Sequence, residues 1–309
     1  MAPNGFSKKA IGYLPEPSKK DTETILRIQI FLDEKMFGPG KIDGQMGQFT
    51  RKAVAHYNFG YNLKYDNYYK VINESNAVID KLFTTYTIKE EDFNFVGEVS
   101  FEPSEQAEID YLYYRSILEF TAERFHSDEK YLTKINPAID WEKATTGTII
   151  KVPNVTPFKI EDVKKDKSFQ RERKLSKRLV IVDTTQKLVA IWEKSKILAT
   201  FPITPGQEKF IHRGSWVIQN MITTPTFRWD QSMLETGKRS NEAHLLPPGP
   251  NSPIGIFWAG LNKGGIGLHG TSSPHTIGRS RSAGCVRLAN WDVVRLSNLV
   301  RPGAKVEMR

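Results

Sequence analysis

The 309-residue sequence is 39% hydrophobic and 26% charged, which is typical of a globular protein with two or three domains. No apolar run approaches the length of a membrane-spanning helix, and the N-terminal stretch lacks the hydrophobic centre of a signal peptide. The net charge of +9 leaves nucleic acid, membrane surfaces and acidic polymers as candidate partners. The single cysteine cannot form an internal disulfide, so it is either a reactive thiol or a small buried side chain.

The N-terminal part of the chain combines an extended segment with two predicted helices. Residues 1–20 contain prolines and paired lysines, and we interpret them as a leader or linker. Apolar residues recur at helical spacing over 22–36, and a second helix is predicted to open at Thr50. The glycine-rich run between them predicts a turn, and we expect Asp43 to build this turn rather than bind a ligand.

This segment resembles a known wall module. The order I-Q-I-F-L, followed by G-P-G-K-I-D-G-Q-M-G-Q-F-T-R-K-A-V, is similar to the small helical peptidoglycan-binding module found beside cell-wall enzymes. We therefore assign residues 21–64 to such a module. His56 is expected to be structural, because no second ligand stands at metal-binding spacing. Residues 65–104, with a helix predicted near 75–83, are expected to connect this module to the next.

Residues 105–155 predict a second module of mixed α and β structure. The runs 117–125 and 131–135 suit two helices, and 148–152 predicts a closing strand. The order S-x-x-E-F-x-A-E-R-F-H, then L-x-x-I-N-P and I-x-V-P-N, resembles LysM, a module that grips the amino sugars of peptidoglycan or chitin. Because Tyr114 opens a Tyr-Arg-Ser run where Gly-Asp is common in LysM, a rigid spacer is the alternative role.

Much of the basic charge is concentrated in the run V-K-K-D-K-S-F-Q-R-E-R-K-L-S-K-R at 163–178. The run lacks the periodic aromatic residues of a single-strand binder, so we expect no nucleic-acid partner. We interpret residues 156–176 as a solvated basic linker. Peptidoglycan is anionic through its peptide carboxylates. Weak electrostatic attraction to it is enough to account for the excess positive charge.

The C-terminal part, residues 177–309, is dominated by short β-rich runs. The runs 179–183 and 188–192 predict a hairpin, and several further strands follow. The only predicted helix spans 291–300 and is expected to be capped by Asn290. This pattern indicates a mostly-β domain in the form of a sandwich of sheets.

One segment of this domain, residues 223–253, shows little periodicity. Loops of that length in a compact domain are usually functional or disordered. We interpret the segment as a lid over a substrate channel, on which Phe227 and Trp229 contact the substrate.

The only cysteine, Cys285, lies in the run G-L-H-G-T-S-S-P-H-T-I-G-R-S-R-S-A-G-C-V-R-L. Arg279, Arg281 and Arg287 place positive charge near it, which is expected to lower the thiol pKa. His269, sixteen positions upstream, can accept the thiol proton. From these residues alone, a small buried side chain remains the alternative.

The order H-G-T, a spacer, and S-x-G-C-V-R-L resembles the signature of the L,D-transpeptidase catalytic domain of the YkuD type. Many members carry a second histidine two positions before the cysteine, where this chain has Ala283. We expect His275 to lie on the surface. It is the first histidine to test as a substitute for the family's second histidine. The resemblance implies a catalytic group made of Cys285, His269, Gly284 and Arg287. We expect substrate contacts from Ser282, Ala283, Gly270, Thr271, Trp229 and Phe227.

The resemblance also implies a reaction. The thiolate of Cys285 would attack the carbonyl between the third residue of a tetrapeptide stem and its terminal D-alanine, and the thioester would pass to a neighbouring stem as a 3→3 cross-link. Backbone amides around Gly284 and Cys285 are expected to hold the oxyanion. Two alternatives stay open: an L,D-carboxypeptidase in which water resolves the thioester, and a wall-anchoring protein without catalysis.

The expected partners are peptidoglycan stem peptides and glycan, and carbapenems are expected to acylate the cysteine. No cofactor and no metal ion are expected. We expect a periplasmic or cell-envelope location, with the export signal already removed from the mature chain.

Overall fold

The computed structural model describes residues 12–279 and 284–309. The helices in these ranges are α1 (Thr22–Glu34), α2 (Gln48–Phe59), α3 (Tyr69–Val78), α4 (Pro103–Gln106), α5 (Ile117–Arg124), α6 (Glu129–Ile135), α7 (Gln231–Thr236) and α8 (Asn290–Leu299). The strands are β1 (Phe83–Thr87), β2 (Ile149–Pro153), β3 (Leu179–Asp183), β4 (Leu188–Glu193), β5 (Lys196–Pro202), β6 (Gly214–Thr223), β7 (Phe227–Trp229), β8 (His244–Leu246), β9 (Phe257–Leu261), β10 (Gly267–His269), β11 (Val286–Arg287) and β12 (Lys305–Met308). Within these ranges, no helix has both the length and the apolar character needed to cross a membrane.

The first three helices pack together around an apolar cluster. Asp21 caps α1 by accepting the Thr24 N–H at 3.2 Å, and the buried face of α1 packs against α2. The turn between them is organised by Asp43, whose carboxylate accepts the Gln45 N–H at 2.9 Å and the Gln29 amide at 3.1 Å. Asp43 therefore builds the turn, as its Ile-Asp-Gly context indicates.

The second group of elements places two helices between two paired strands. β1 and β2 are antiparallel, and α5 and α6 lie between them in the chain. The helix predicted near 75–83 is wrong in its second half, because α3 ends at Val78 and Phe83 begins β1. The run F-T-T-Y-T is rich in β-branched and aromatic residues, which favour a strand. The stretch expected only to connect two modules thus supplies the partner of β2.

The C-terminal strands form one sheet of eight, in the order β11-β10-β9-β6-β12-β3-β4-β5. Thr204, just beyond β5, exchanges backbone hydrogen bonds of 2.9 and 3.0 Å with Arg287 on β11. The two edges of the sheet therefore meet, and a single curled sheet replaces the expected sandwich of separate sheets. The curling follows from the right-handed twist of the strands and encloses one core against α8. The core includes Val180, Val189, Phe201, Ile218, Phe257, Leu268, Val286, Val293 and Val306.

The basic segment before this sheet is largely exposed, as its charge indicates, but it also makes specific contacts with β6. Phe169 donates its backbone N–H to Met221 O at 3.1 Å, and Lys167 and Thr223 are also hydrogen-bonded. The segment thereby pairs with the part of β6 that β12 leaves uncovered. The ring of Phe169 packs edge-on against Phe257 at 5.8 Å, so one apolar side chain within the basic run anchors it.

The upstream elements are docked onto the sheet. Backbone bonds of 2.7 and 2.9 Å join Gly38 to Thr200 O and Thr200 to Met36 O, along β5. Asp33 on α1 holds both terminal nitrogens of Arg295 on α8 at 2.8 Å. Because both backbone and charged contacts cross between the two parts, the orientation of the helices on the sheet is fixed by specific bonds.

Candidate active site

The end of the curled sheet brings the predicted residues together. β10 and β11 are parallel neighbours in which His269 lies opposite Arg287. Cys285 stands two residues before Arg287, and alternate residues of a strand share a face. All three side chains line one cavity of about 1040 Å³. Strand pairing thus brings together a histidine and a cysteine that stand sixteen positions apart in the sequence.

The sulfur of Cys285 is enclosed by backbone groups. It donates to Gly265 O at 3.3 Å, and the Gly267 amide is bonded to it. Burial raises the pKa of the thiol to about 11, while the Gly267 amide and the Arg287 guanidinium act in the opposite direction. The expectation that nearby arginines make it a low-pKa thiolate is therefore wrong, because removal from water outweighs the charge.

Of the other two arginines of that expectation, the structure describes only Arg279. Arg279 is exposed and lines a separate cleft of about 140 Å³. Arg281 lies outside the described residues, as do Ser282 and Ala283, which were expected to contact the substrate. Of the three cations, Arg287 is thus the one that the described structure places in the thiol cavity.

His269 is 3% exposed and is held in one orientation. Its Nδ1 lies 2.6 Å from Gly270 O, and a carbonyl only accepts, so Nδ1 carries the proton. Burial, and then the Arg287 charge, lower the pKa of His269 to about 3, although the Gly270 bond opposes this shift. The imidazole is therefore neutral at pH 7, with Nε2 as a proton acceptor. Resting thiol and resting imidazole form a neutral pair.

Trp258 is a site residue that the sequence did not reveal. It lies opposite His269 in the pairing of β9 with β10, and the two rings stack with centroids 5.7 Å apart. The indole covers Gly267, where a Cβ would come within 2.7 Å of the Trp258 ring. Glycine at this position therefore makes room for the indole. The one sequence signal was the density of glycines before His269.

Gly284 has a structural reason for being glycine. Its φ is +116°, a region that residues with side chains rarely adopt. A Cβ on Gly206, in the loop after β5, would lie 2.5 Å from the Gly284 Cα. Two glycine backbones are therefore in direct contact just before Cys285, which fixes the loop that presents the thiol.

The lid over the cavity is an ordered substructure rather than an irregular loop. β7 and β8 are antiparallel, with Phe227 opposite Leu246 and Trp229 opposite His244, and α7 lies between them. Buried Asp230 holds the substructure together by accepting from the Ser240 amide at 2.9 Å and the Met233 amide at 3.1 Å. Sequence periodicity missed α7 because one buried carboxylate, not an apolar stripe, organises it. Phe227 and Trp229 line the cavity.

The cavity is strongly cationic. Its lining includes one carboxylate, Asp230, which pairs with Arg228 at 2.6 Å. Within the described part of the chain, the other three lining arginines make no ion pair with a carboxylate. The Nε of Arg287 is buried without a hydrogen-bond partner there. These three residues are Arg171, Arg239 and Arg287.

The loop after His269 is held by Asn290. This residue was expected to cap the last helix, but it is the first residue of α8 and makes no capping bond. Its amide instead accepts the Thr271 N–H at 3.2 Å and donates to Thr271 O at 3.1 Å. Gly270 and Thr271 thus act through their backbone groups, one on His269 and the other on Asn290.

Three of the remaining histidines have other neighbours. His275 is exposed beside Arg279, in the separate cleft. His56 Nδ1 bonds the Lys52 carbonyl at 2.9 Å, and the ring of His244 lies 6.1 Å from that of Trp229. Over residues 12–279 and 284–309, no group of three His, Cys, Asp or Glu side chains is placed to hold a metal ion.

Comparison with known proteins adds to this picture. A family model described as the L,D-transpeptidase catalytic domain matches residues 177–308. Two similar proteins have names that contain the term L,D-transpeptidase. YkuD from Bacillus licheniformis is 24% identical over 192 residues, which cover 62% of this chain and 92% of the relative. YqjB from Bacillus subtilis is 34% identical over 133 residues, which cover 41% of this chain and 68% of the relative.

Two solved structures are also similar. An L,D-transpeptidase from Mycobacterium smegmatis is 17% identical with a TM-score of 0.36, and the match covers 43% of this chain and 58% of that one. L,D-transpeptidase 3 from Mycobacterium tuberculosis, in complex with a faropenem-derived adduct, is 11% identical with a TM-score of 0.36. That match covers 54% of this chain and 76% of the other.

Proposed function

This chain belongs to the L,D-transpeptidase family, and on that premise we propose that it joins peptidoglycan stem peptides through 3→3 cross-links. The observation that carries the proposal is that His269 on β10, Arg287 on β11 and Cys285, just before β11, line one cavity. A thiol beside an imidazole of fixed tautomer, in a cavity of substrate size, suits acyl transfer through a covalent intermediate.

The first half-reaction begins from the neutral pair. As the Cys285 sulfur attacks the carbonyl carbon between the third stem residue and D-alanine, its proton passes to Nε2 of His269. The carbonyl oxygen becomes an oxyanion, for which the amides around Gly284 and Cys285 are the proposed donors, and aligned donors contribute about 3 kcal/mol. The C–N bond then breaks, His269 returns the proton to the departing amine, and a thioester remains on Cys285.

The second half-reaction reverses these roles. The side-chain amine of a neighbouring stem attacks the thioester carbon and gives a proton to His269. The C–S bond breaks, and the sulfur recovers its proton from the imidazole. The pKa shifts favour this general-base route over a permanent thiolate, because both groups are neutral at pH 7. We propose these steps in place of a thiolate that exists before substrate binds.

The charge of the cavity supports an anionic peptide as substrate. Arg171, Arg239 and Arg287 face a site in which the one lining carboxylate among the described residues, Asp230, is already paired with Arg228. Guanidinium groups bind planar carboxylates in bidentate geometry, and stem peptides carry free carboxylates. We propose Arg287 as a substrate contact near the reacting carbonyl, and Phe227 and Trp229 on the lid as apolar contacts above it. Ser282 and Ala283, which precede Cys285 in the sequence by three and two positions, are also proposed as substrate contacts.

Carbapenems are proposed as covalent inhibitors, since they present a strained acyl group to the same thiol. The cell envelope or periplasm is the proposed place of action, because peptidoglycan lies there. The modules proposed at 21–64 and 105–155 would hold the catalytic domain, proposed at 177–309, against stem peptides and glycan.

The deciding experiment incubates the protein with purified disaccharide-tetrapeptide and follows the products by mass spectrometry, beside Cys285→Ala. We expect a dimer that has lost one D-alanine, absent with the variant. Tripeptide and free D-alanine without a dimer would instead identify an L,D-carboxypeptidase. Unchanged substrate, together with no carbapenem adduct on Cys285, would contradict both enzymatic functions and leave wall anchoring.

A further inference from the structure

A line of hydrogen bonds connects α5, far upstream in the chain, with the active-site histidine. It begins at Glu123, which is 4% exposed and accepts the Tyr114 hydroxyl at 2.6 Å. The amide nitrogen of Asn290 donates to both carboxyl oxygens of Glu123, at 3.0 and 3.2 Å. These two residues stand 167 positions apart in the sequence, and both are buried.

Asn290 is also hydrogen-bonded to the peptide unit that joins Gly270 to Thr271. The N–H of that unit belongs to Thr271 and donates to Asn290 Oδ1 at 3.2 Å. Its carbonyl belongs to Gly270 and accepts Nδ1–H of His269 at 2.6 Å. Asn290 and His269 therefore hold opposite ends of the same peptide plane. Hydrogen bonds in series polarise one another, so a firm bond at the N–H strengthens the one at the carbonyl.

The backbone around Asn290 is shaped to admit its side chain. A Cβ on Gly255 or on Gly270 would lie 2.1 Å from Asn290 Oδ1, closer than two such atoms can approach. Gly255 also has φ +60°, which disfavours other residues. Both glycines thus leave room for the amide, and the fit permits one orientation of Asn290.

We propose that Glu123 is a positioning residue for His269, acting through Asn290 and the Gly270–Thr271 peptide. Glu123 fixes the amide of Asn290, Asn290 fixes the peptide plane, and the Gly270 carbonyl keeps the proton of His269 on Nδ1 so that Nε2 faces the thiol. The inference rests on the proposed role of His269 as the general base. It makes the 105–155 region part of the catalytic apparatus, beyond any role in wall binding.

The protonation state of Glu123 indicates which substitution would preserve its hydrogen bonds. Burial raises the pKa of Glu123 to about 8, although its bonds to Tyr114 and Asn290 act the other way. The neutral acid keeps one carbonyl oxygen that accepts from both partners. Glutamine has the same shape and the same acceptor, whereas alanine has none. We therefore expect Glu123→Gln to preserve the positioning and Glu123→Ala to remove it.

The test measures the rate of Cys285 acylation by a carbapenem, by stopped-flow absorbance and mass spectrometry, below the melting temperature of each variant. We expect Glu123→Ala to slow acylation about 10-fold, since small displacements of a catalytic group are costly. Glu123→Gln should stay within about 3-fold of wild type. As matched control, Asp33→Asn disturbs another buried contact to α8 without touching Asn290, and should acylate at the wild-type rate.

A second pair of variants remains informative if Glu123→Ala does not fold. Asn290→Asp removes the donor to Glu123 and should slow acylation, while the double variant Asn290→Asp/Glu123→Gln restores a donor from the other side and should recover part of the rate. Wild-type rates in both Glu123→Ala and Asn290→Asp would overturn the proposal. So would an Asp33→Asn enzyme as slow as Glu123→Ala.

Nuclear magnetic resonance of the imidazole nitrogens separates this inference from the proposed function. We expect His269 to carry its proton on Nδ1 in wild type and Glu123→Gln, and to populate both tautomers in Glu123→Ala. If wild type forms no carbapenem adduct, the proposed function fails, while the tautomer measurement still reports on positioning. An unchanged tautomer in Glu123→Ala would refute the inference even in an active enzyme.

Discussion

Two histidines are buried against tryptophan rings in this molecule, and they have different neighbours. His126 stacks on Trp291 at 5.3 Å, and its Nδ1 donates to the Asp33 carboxylate at 2.9 Å. His269 stacks on Trp258 at 5.7 Å, and its Nδ1 donates to a backbone carbonyl. Burial lowers the pKa of both rings. Burial and stacking alone therefore do not distinguish a catalytic histidine.

The two histidines differ in the groups that surround each ring. Burial alone would raise the pKa of Asp33, but Arg295 and His126 lower it well below its usual range. His126 thus belongs to a buried hydrogen-bonded group, with Asp33 and Arg295, that joins α1 to α8. His269 has no carboxylate within ion-pair distance in the described ranges, and it shares a cavity with a thiol. A neutral ring that shares a cavity with a thiol suits the role of proton acceptor that we propose for His269, whereas His126 contributes to the docking of α1 on α8.

The largest expected effect comes from exchanging each ring for glutamine. His269→Gln should lower the rate of Cys285 acylation by about 10²- to 10⁴-fold, because it removes the imidazole that we propose as the acceptor of the thiol proton. His126→Gln should leave that rate unchanged at temperatures where it is folded. The measurement is carbapenem acylation in both variants. Equal losses would show that the two histidines are not functionally distinct.

The converse contrast concerns stability. Asp33→Asn should lower the free energy of unfolding by about 3–5 kcal/mol, since it leaves the Arg295 guanidinium buried without its counter-ion. Urea denaturation of the variant and wild type measures this loss. Thr271→Ser, near the other histidine, serves as a control and should stay close to wild type. A loss of unfolding free energy below about 1 kcal/mol for Asp33→Asn would show that the Asp33–Arg295 pair contributes no more than an ordinary surface ion pair.

Acidification should destabilise the folded protein through both histidines. The pKa of His269 is lowered to about 3, so between pH 3 and about 6.5 the unfolded chain binds a proton that the folded chain does not. Stability is therefore present above pH 6.5 and is lost as the pH falls. We expect this site to cost about 2 kcal/mol between pH 7 and pH 5. The difference between wild type and His269→Gln in urea melts isolates it, and parallel pH profiles would contradict it.

The tryptophans give the smallest contrast. Replacing either ring by leucine removes stacking worth about 0.5–1.5 kcal/mol beyond the area that it buries. Trp258→Leu should also slow acylation, because the indole holds His269 and covers Gly267, whereas Trp291→Leu should affect stability alone. Acylation rates and thermal melts of the two variants test this. A normal acylation rate in Trp258→Leu would show that the Gly270 bond is sufficient to orient His269.

The sequence indicated much of the local structure. The boundaries of α1, α5 and β3 follow from apolar spacing and from capping residues such as Asp21 and Ser116, which act within a few positions of themselves. The motif around Cys285 pointed to its family because the resemblance rests on a histidine, a glycine and a cysteine within one short run of the sequence. Apolar spacing, capping and sequence motifs depend on residues that are close together in the chain. They can therefore be recognised without knowledge of distant contacts.

Other features were decided by contacts between distant residues. Charge indicated a solvated run around Phe169, but the uncovered side of β6 provided backbone partners for it. From helix-capping preferences, Asn290 was expected to cap α8. Its side-chain amide is instead hydrogen-bonded to Glu123 and Thr271. The thiol pKa was expected to fall because charges are visible in a sequence, whereas the burial that raises it is not.

By itself, the sequence determined which groups are available for chemistry: one thiol, a histidine sixteen residues before it, and the glycines and arginine beside it. Only the tertiary structure decided how they are used. The pairing of β10 with β11 brings His269 and Cys285 into one cavity, and the enclosure of both groups makes them neutral. The physical reason is that desolvation and hydrogen-bond geometry depend on the whole fold, whereas residue type and spacing belong to the chain alone.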